Sequence, residues 1–137
     1  MRVIGFNFTK ISVERLKSSV ENLKISTSMD IPELKQIDSN ILKIKEDVLE
    51  AKFKYVVNYD PGFAKVDIEG TIILALDSKM AKEALSQWKK KTPGPEDLKI
   101  FLYNVVIKKA TPKALDLEDG LNLPLHMALP MMRKNKE

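Results

Sequence analysis

The stretch from Val48 to Asp77 limits what this chain can fold into more than any other. It reads VLEAKFKYVVNYD, then Pro-Gly, then FAKVDIEGTIILALD. In the first segment Leu49, Ala51, Phe53, Tyr55, Val57 and Tyr59 fall on one side, and Val48, Glu50, Lys52, Lys54, Val56 and Asn58 on the other. In the second, Ala64, Val66, Ile68, Ile72, Leu74 and Leu76 share a face opposed by Lys65, Asp67, Glu69 and Thr71. A period of two, with one apolar and one mostly charged side, is the pattern of strands in a half-buried sheet. Asp60-Pro61-Gly62 supplies a preset φ followed by a residue free to take φ > 0, so the segments form a hairpin. The rest of the chain must cover its apolar face.

The other elements follow in order. Residues 2–9 alternate, with Ile4, Phe6 and Phe8 on one side, and read as a first strand. From Ser12, a good N-cap, Leu16, Val20 and Leu23 fall at i, i+4, i+7; this suggests a short helix, although a strand could also continue through Val13. Lys24 to Ile31 alternates again, aligning Ile25, Thr27, Met29 and Ile31, and Pro32 bounds this strand because it cannot donate to a central ladder. The irregular stretch to Asp47 is a long crossover, or an edge strand around Ile41–Ile44. After the hairpin the period becomes helical. Asp77 or Ser78 caps a helix with a stripe of Ala81, Ala84, Leu85 and Trp88, and Lys89, Lys90 and Lys91 form its solvated end. Thr92-Pro93-Gly94 ends it. Pro95, Glu96 and Asp97 open a second helix with core residues Leu98, Phe101, Leu102, Val105 and Val106, which Pro112 ends or kinks near Ala110.

The segment after it carries Leu121, Leu123, Leu125, Met127, Leu129, Met131 and Met132, broken by Pro124 and Pro130. It reads as an extended strap over the domain surface. Seven large apolar side chains are costly in water, each worth about 1.5–3 kcal/mol when buried. Packing must hold the strap, since its prolines prevent regular backbone bonding. Residues 1–132 form one domain, and 133–137 a disordered charged tail.

Chemistry is sparse. There is no cysteine, which excludes disulfides, thiolate catalysis and Cys-based metal sites. His126 is the one histidine, and a structural role beside Pro124 suits it better than zinc, whose other ligands would all have to be carboxylates. Asp116, Glu118 and Asp119 before Gly120 miss the calcium-loop spacing and read as a solvated turn. The glycines form no phosphate cradle, and Gly70 in mid-strand marks a bulge or a close backbone contact. Glu50 and Glu69 lie where Lys52, Lys54 and Lys65 could neutralise them across the sheet. No nucleophile has a base beside it, so the residues point to a non-enzymatic protein without cofactor or metal. The net charge of +4 is scattered and lysine-based, Arg occurring at 2, 15 and 133 alone, so nucleic acid is not the expected partner. The first residues have no signal-peptide pattern, and no apolar run reaches the ~18 residues of a membrane span, so a cytoplasmic address and no membrane insertion are expected. What remains is surplus apolar surface, which in a chain of this size marks a partner surface and a homo-oligomer, dimer or tetramer.

The order of elements, with GFNFTKISVER at 5–15, the hairpin at 48–77 and LNLPLHMALP at 121–130, resembles the SecB-like protein-export chaperones. The LPLH and ALP pieces, with WKK at 88–90 and KALDLED at 113–119, are similar to an archaeal, cytoplasmic branch of that family. The resemblance implies an α+β fold, a four-stranded antiparallel sheet with two helices on one face. It also implies ATP-independent binding of non-native polypeptide in apolar grooves of a homo-oligomer. Phe6, Phe8, Phe53, Tyr55, Leu123, Leu125, Met127 and Leu129 are the candidate polypeptide-binding residues. SecB itself is acidic and docks a basic tail of the export motor, whereas the pI here is about 9.2. A scaffold or interaction subunit of a cytoplasmic complex is the alternative, with weak RNA binding through the lysines behind it.

Overall fold

The structure, a computed structural model, describes residues 1–38, 44–90 and 95–134. The hairpin is its centre. β3 (Asp47–Asp60) and β4 (Ala64–Leu76) pair antiparallel, Tyr59 opposite Ala64 and Asp47 opposite Leu76. Gly62 takes φ +56° in the connecting turn, and the Phe63 amide donates to the Tyr59 carbonyl at 2.9 Å. β1 (Arg2–Arg15) adds to β4 and β2 (Lys24–Ile37) to β3, giving an antiparallel sheet of order β1-β4-β3-β2. α1 (Ser78–Lys89) and α2 (Glu96–Gly120) follow, so the architecture is the α+β one expected. The alternating residues of β3 and β4 that point at the helices are all buried, save that Gly70 has no side chain to bury.

Three local readings give way to tertiary demands. β1 does not turn helical at Ser12: Ile11, Val13 and Arg15 continue opposite Ile68, Val66 and Ala64, because β4 needs a partner along its full length. Leu16 is left exposed and the chain turns at Asn22, with φ +57°. Three residues at helical spacing are a weak signal beside a complete ladder.

β2 does not stop at Pro32. Asp30 pairs with Lys54 and Glu33 with Lys52, so Ile31 and Pro32 together stand opposite Phe53 in a β-bulge. β2 is an edge strand, where a residue without an N–H is tolerated. The extra residue also resets the alternation. Leu34 then packs against the core, while Glu33 and Lys35 face outward. The second helix, likewise, runs through Pro112 to Gly120. Pro112 and Lys108, whose carbonyl loses its donor, both lie on the exposed side, where water can replace the missing bond. The expected edge strand at Ile41–Ile44 lies outside the described residues except for Ile44, which is not in a strand.

The helix starts follow their sequence signals. Asp77 Oδ1 accepts from the Met80 amide at 2.9 Å, and Glu96 and Asp97 occupy the positive end of α2. Ala81 and Ala84 bury α1 against β2 and β3. The buried residues of α2 are Leu98, Leu102, Val106, Ala110, Ala114 and Glu118, spaced by fours, a row inclined to the axis that crosses the sheet obliquely.

The face away from the helices carries the charges at its middle, while Val48 and Ala75 are buried at one end of it. Lys54–Glu69 at 3.3 Å is the pairing expected within the hairpin. Glu50 pairs instead with Lys35 at 3.5 Å, and Lys52 with Glu33 at 3.2 Å, because β2 sets those residues directly opposite. Lys10–Asp67 at 2.8 Å extends the ladder to β1. A groove of about 590 Å³ lies here, lined by Thr9, Pro32 and Gly70 among the paired charges.

Gly70 is the position with least freedom. A Cβ there would overlap the Asn7 carbonyl oxygen and stand 2.6 Å from Phe53 Cε1. Gly70→Ala is therefore expected to lower the unfolding free energy by about 1–3 kcal/mol, as overpacking does, read as a reduced urea midpoint at unchanged slope.

Candidate functional site

Phe53 sits in the centre of β3 with its ring over Gly70, and it gathers the aromatics of β1. Phe6 stacks on it at 5.4 Å between centroids, Phe8 meets it edge-on at 6.5 Å, and Phe6 and Phe8 are 5.0 Å apart. Phe53 is buried, whereas Phe6 and Phe8 are half-buried, with Lys109 of α2 set 5.7 Å over the Phe6 ring. Ile4, expected on the same side, falls at a register shift and is exposed.

Two residues along β3 the covering changes from helix to strap. Tyr55 and Tyr59 are both buried, and their hydroxyls reach the segment after α2. The Tyr59 hydroxyl donates to the Pro124 carbonyl at 2.6 Å. The Tyr55 hydroxyl lies 2.7 Å from His126 Nε2 and 3.1 Å from Thr111 Oγ1. Beneath them is Glu118, fully buried at the end of the α2 row. Its Oε1 accepts the His126 amide at 2.9 Å, and His126 Nδ1 lies 2.9 and 2.8 Å from its two oxygens. Arg15 Nη1, at the end of β1, donates to the Leu121 carbonyl at 3.2 Å.

Glu118 is thus no part of a solvated turn. Residues 113–120 are the end of α2, and the carboxylate occupies a core position where its charge must be partnered. His126, expected in a structural role beside Pro124, has Glu118 and Tyr55 as its hydrogen-bond partners. The strap, too, is held differently from the sequence reading. Of its seven large apolar residues Leu123 is buried and Leu125 half-buried, while Leu121, Met127, Leu129, Met131 and Met132 are exposed, Met132 completely. Residues 121–123 are seated by backbone bonds to the end of α2, the Leu123 amide donating to the Glu118 carbonyl at 2.9 Å, and Pro124 and His126 by the side-chain hydrogen bonds above.

The eight candidate residues therefore do not form one surface. Phe6 and Phe8 border Phe53. Tyr55, in β3, lies under the seated part of the strap, to which Leu123 and Leu125 belong, and Met127 and Leu129 form its exposed end. Glu118, Tyr59 and Arg15 were not candidates. For Glu118 a signal existed: continuing the core spacing of α2 past Val106 by fours reaches it. Among the described residues no group of three or more His, Cys, Asp or Glu could hold a metal ion, and no helix is long and apolar enough to cross a membrane.

No protein-family model matches the chain, and no curated protein does. Among solved structures it is similar to a Mycobacterium tuberculosis SecB-like chaperone in complex with a ChAD peptide from the HigA1 antitoxin. The TM-score is 0.54 at 11% identity, over 98% of this chain and 92% of that one. At that identity the likeness is one of fold: a SecB-like α+β architecture.

The tyrosines give this site a pH signature. Burial lifts the Tyr59 phenol well above its usual range and the charge of Glu118 adds to it; burial likewise lifts Tyr55, with Thr111 partly offsetting. The native state keeps protons that the unfolded chain releases near pH 10. Stability from these groups is whole below that pH and falls above it, by about 1.4 kcal/mol per pH unit for each tyrosine. Chemical denaturation between pH 8 and 11.5 should show a flat region and then this decline, with Tyr59→Phe removing one proton from its slope.

Proposed function

We propose that this protein is a non-enzymatic, ATP-independent binder of non-native polypeptide that works as a homo-oligomer, in the manner of SecB-like chaperones. The observation that carries the reading is the distribution of apolar surface on a SecB-like fold. Val3, Ile4 and Ile11 lie exposed along β1, an edge strand, and Met127, Leu129, Met131 and Met132 along the end of the strap. Such surface on a chain with a complete core favours contact with other chains, and methionine suits adaptable contact. The structural neighbour was solved with a peptide from an antitoxin, which fits a polypeptide ligand. Phe6 and Phe8 with Met127 and Leu129 are the accessible members of the binding set. Phe53 supports the first pair from below, and Tyr55, Leu123 and Leu125 take part where the strap moves.

The polar face is not suited to a basic partner. Its charges are matched in cross-strand pairs, so a hand-off through an acidic surface is not part of this reading. The alternative of a scaffold subunit predicts selectivity for one folded partner instead of unfolded chains.

A permanently unfolded, fluorescently labelled polypeptide should bind with an affinity that changes less than about threefold between 50 and 200 mM salt, since few charges are released. Phe6→Ser with Phe8→Ser should weaken it at least about tenfold, each lost apolar contact costing on the order of 1 kcal/mol or more. Light scattering should return at least twice the 15.6 kDa of one chain. Loss of binding at 200 mM salt, or binding to folded and unfolded chains alike, overturns the proposal.

A further inference from the structure

We infer that residues 121–126 are a client-like segment held in cis by a Glu118–His126 latch, and that the trough beneath accepts a similar segment of another polypeptide when the latch is open. The inference rests on the proposed polypeptide-binding function and gives it a ligand chemistry.

The strap has the features of a bound peptide rather than of a fold element. Past a turn at Leu121 and Asn122, whose amides return to the last carbonyls of α2, it lies in neither sheet nor helix and touches the protein through a few separate contacts. Leu123 enters the core cluster, the Pro124 carbonyl takes the Tyr59 hydroxyl, and His126 takes Glu118 and Tyr55. Each receiving group lies on a rigid element, β3 or α2, and each stays in place if the strap leaves. The trough would then expose two phenols aimed at one line, an apolar seat between them and a carboxylate at one end.

That carboxylate sets the specificity. Fully buried Glu118 is satisfied by the amide and ring of His126. With the strap gone, it favours an incoming segment that restores those donors, since a buried carboxyl group left without partners is costly. Leu123 and His126 are three residues apart, so the ligand class is an extended apolar segment with a cation-capable side chain three residues after a leucine. A proline between the two is welcome, because the Pro124 position contributes its carbonyl and no N–H.

The probe is a fluorescent peptide of residues 121–130, LNLPLHMALP, added to the full-length chain. The wild-type protein should bind it weakly, its trough being filled. His126→Ala, with the strap unlatched, should bind it at least about tenfold more tightly, and a probe with alanine at the histidine position should lose most of that gain, because it cannot restore the ring hydrogen bonds to Glu118 and Tyr55. Where His126→Ala loses its fold by circular dichroism, Leu123→Ala carries the test. It removes the buried apolar anchor of the strap while leaving every trough residue unchanged, and should raise probe affinity about threefold or more. Equal binding of the probe by wild type and folded variants, or equal binding of the histidine and alanine probes, overturns the inference. Binding of the unfolded polypeptide without probe discrimination removes the latch alone. Probe discrimination without binding of unfolded polypeptide removes the general function and leaves the latch standing.

Discussion

The structure depends on one contact, the ring of Phe53 lying over Gly70. Because Gly70 has no side chain, a full aromatic ring fits between two strands at the centre of the sheet. The row through this point crosses all four strands, from Phe8 through Gly70 and Phe53 to Ile31 and Pro32. Both edge strands depart from regular pairing there, β1 at Thr9 and β2 at Ile31–Pro32. Bulges bend and twist a strand, so the two together curve the sheet about its aromatic centre. Each helix is tied to this aromatic centre. The Trp88 indole of α1 donates to the Ile31 carbonyl at 2.9 Å, and Lys109 of α2 lies over Phe6.

Away from that row the packing is shared out unevenly. The helices cover the sheet's apolar face at its middle, and the strap covers it under Tyr55 and Tyr59. The segment beyond His126 and the outer edge of β1 are left with apolar side chains in water. The polar face has its charges matched instead, and so offers no comparable drive to associate. A chain built this way leaves exposed apolar surface at its margins, next to the least regular backbone, where movement costs least.

Much of this was legible in the sequence, for reasons that can be named. The hairpin was, because burial on one face imposes a period of two across 48–76 and the Pro-Gly turn sets where it folds. The starts of both helices were, through Asp77 and through Pro95 with its two acids. Gly70 announced a close contact by interrupting a strand of large residues. What local pattern missed was decided by distant partners. Whether Ser12–Arg15 is strand or helix depends on β4, some fifty residues on, and whether Pro32 ends β2 depends on that strand having a free edge. Glu118 and His126 were legible as single residues but not as a pair, since a carboxylate in a polar run shows its burial only once α2 is known to continue through Pro112. The candidate binding residues are apolar or aromatic in the sequence. Their division between core, seated strap and exposed end follows from hydrogen bonds that no periodicity encodes.

The central claim, that the uncovered apolar surface exists to receive unfolded chains, is tested most directly by calorimetry at several temperatures with one client in two forms, unfolded and folded. Burial of apolar surface gives a negative heat-capacity change. The account predicts a clearly negative ΔCp for the unfolded form and no heat of binding for the folded one. A ΔCp near zero for the unfolded client, or equal heats for both forms, would contradict it.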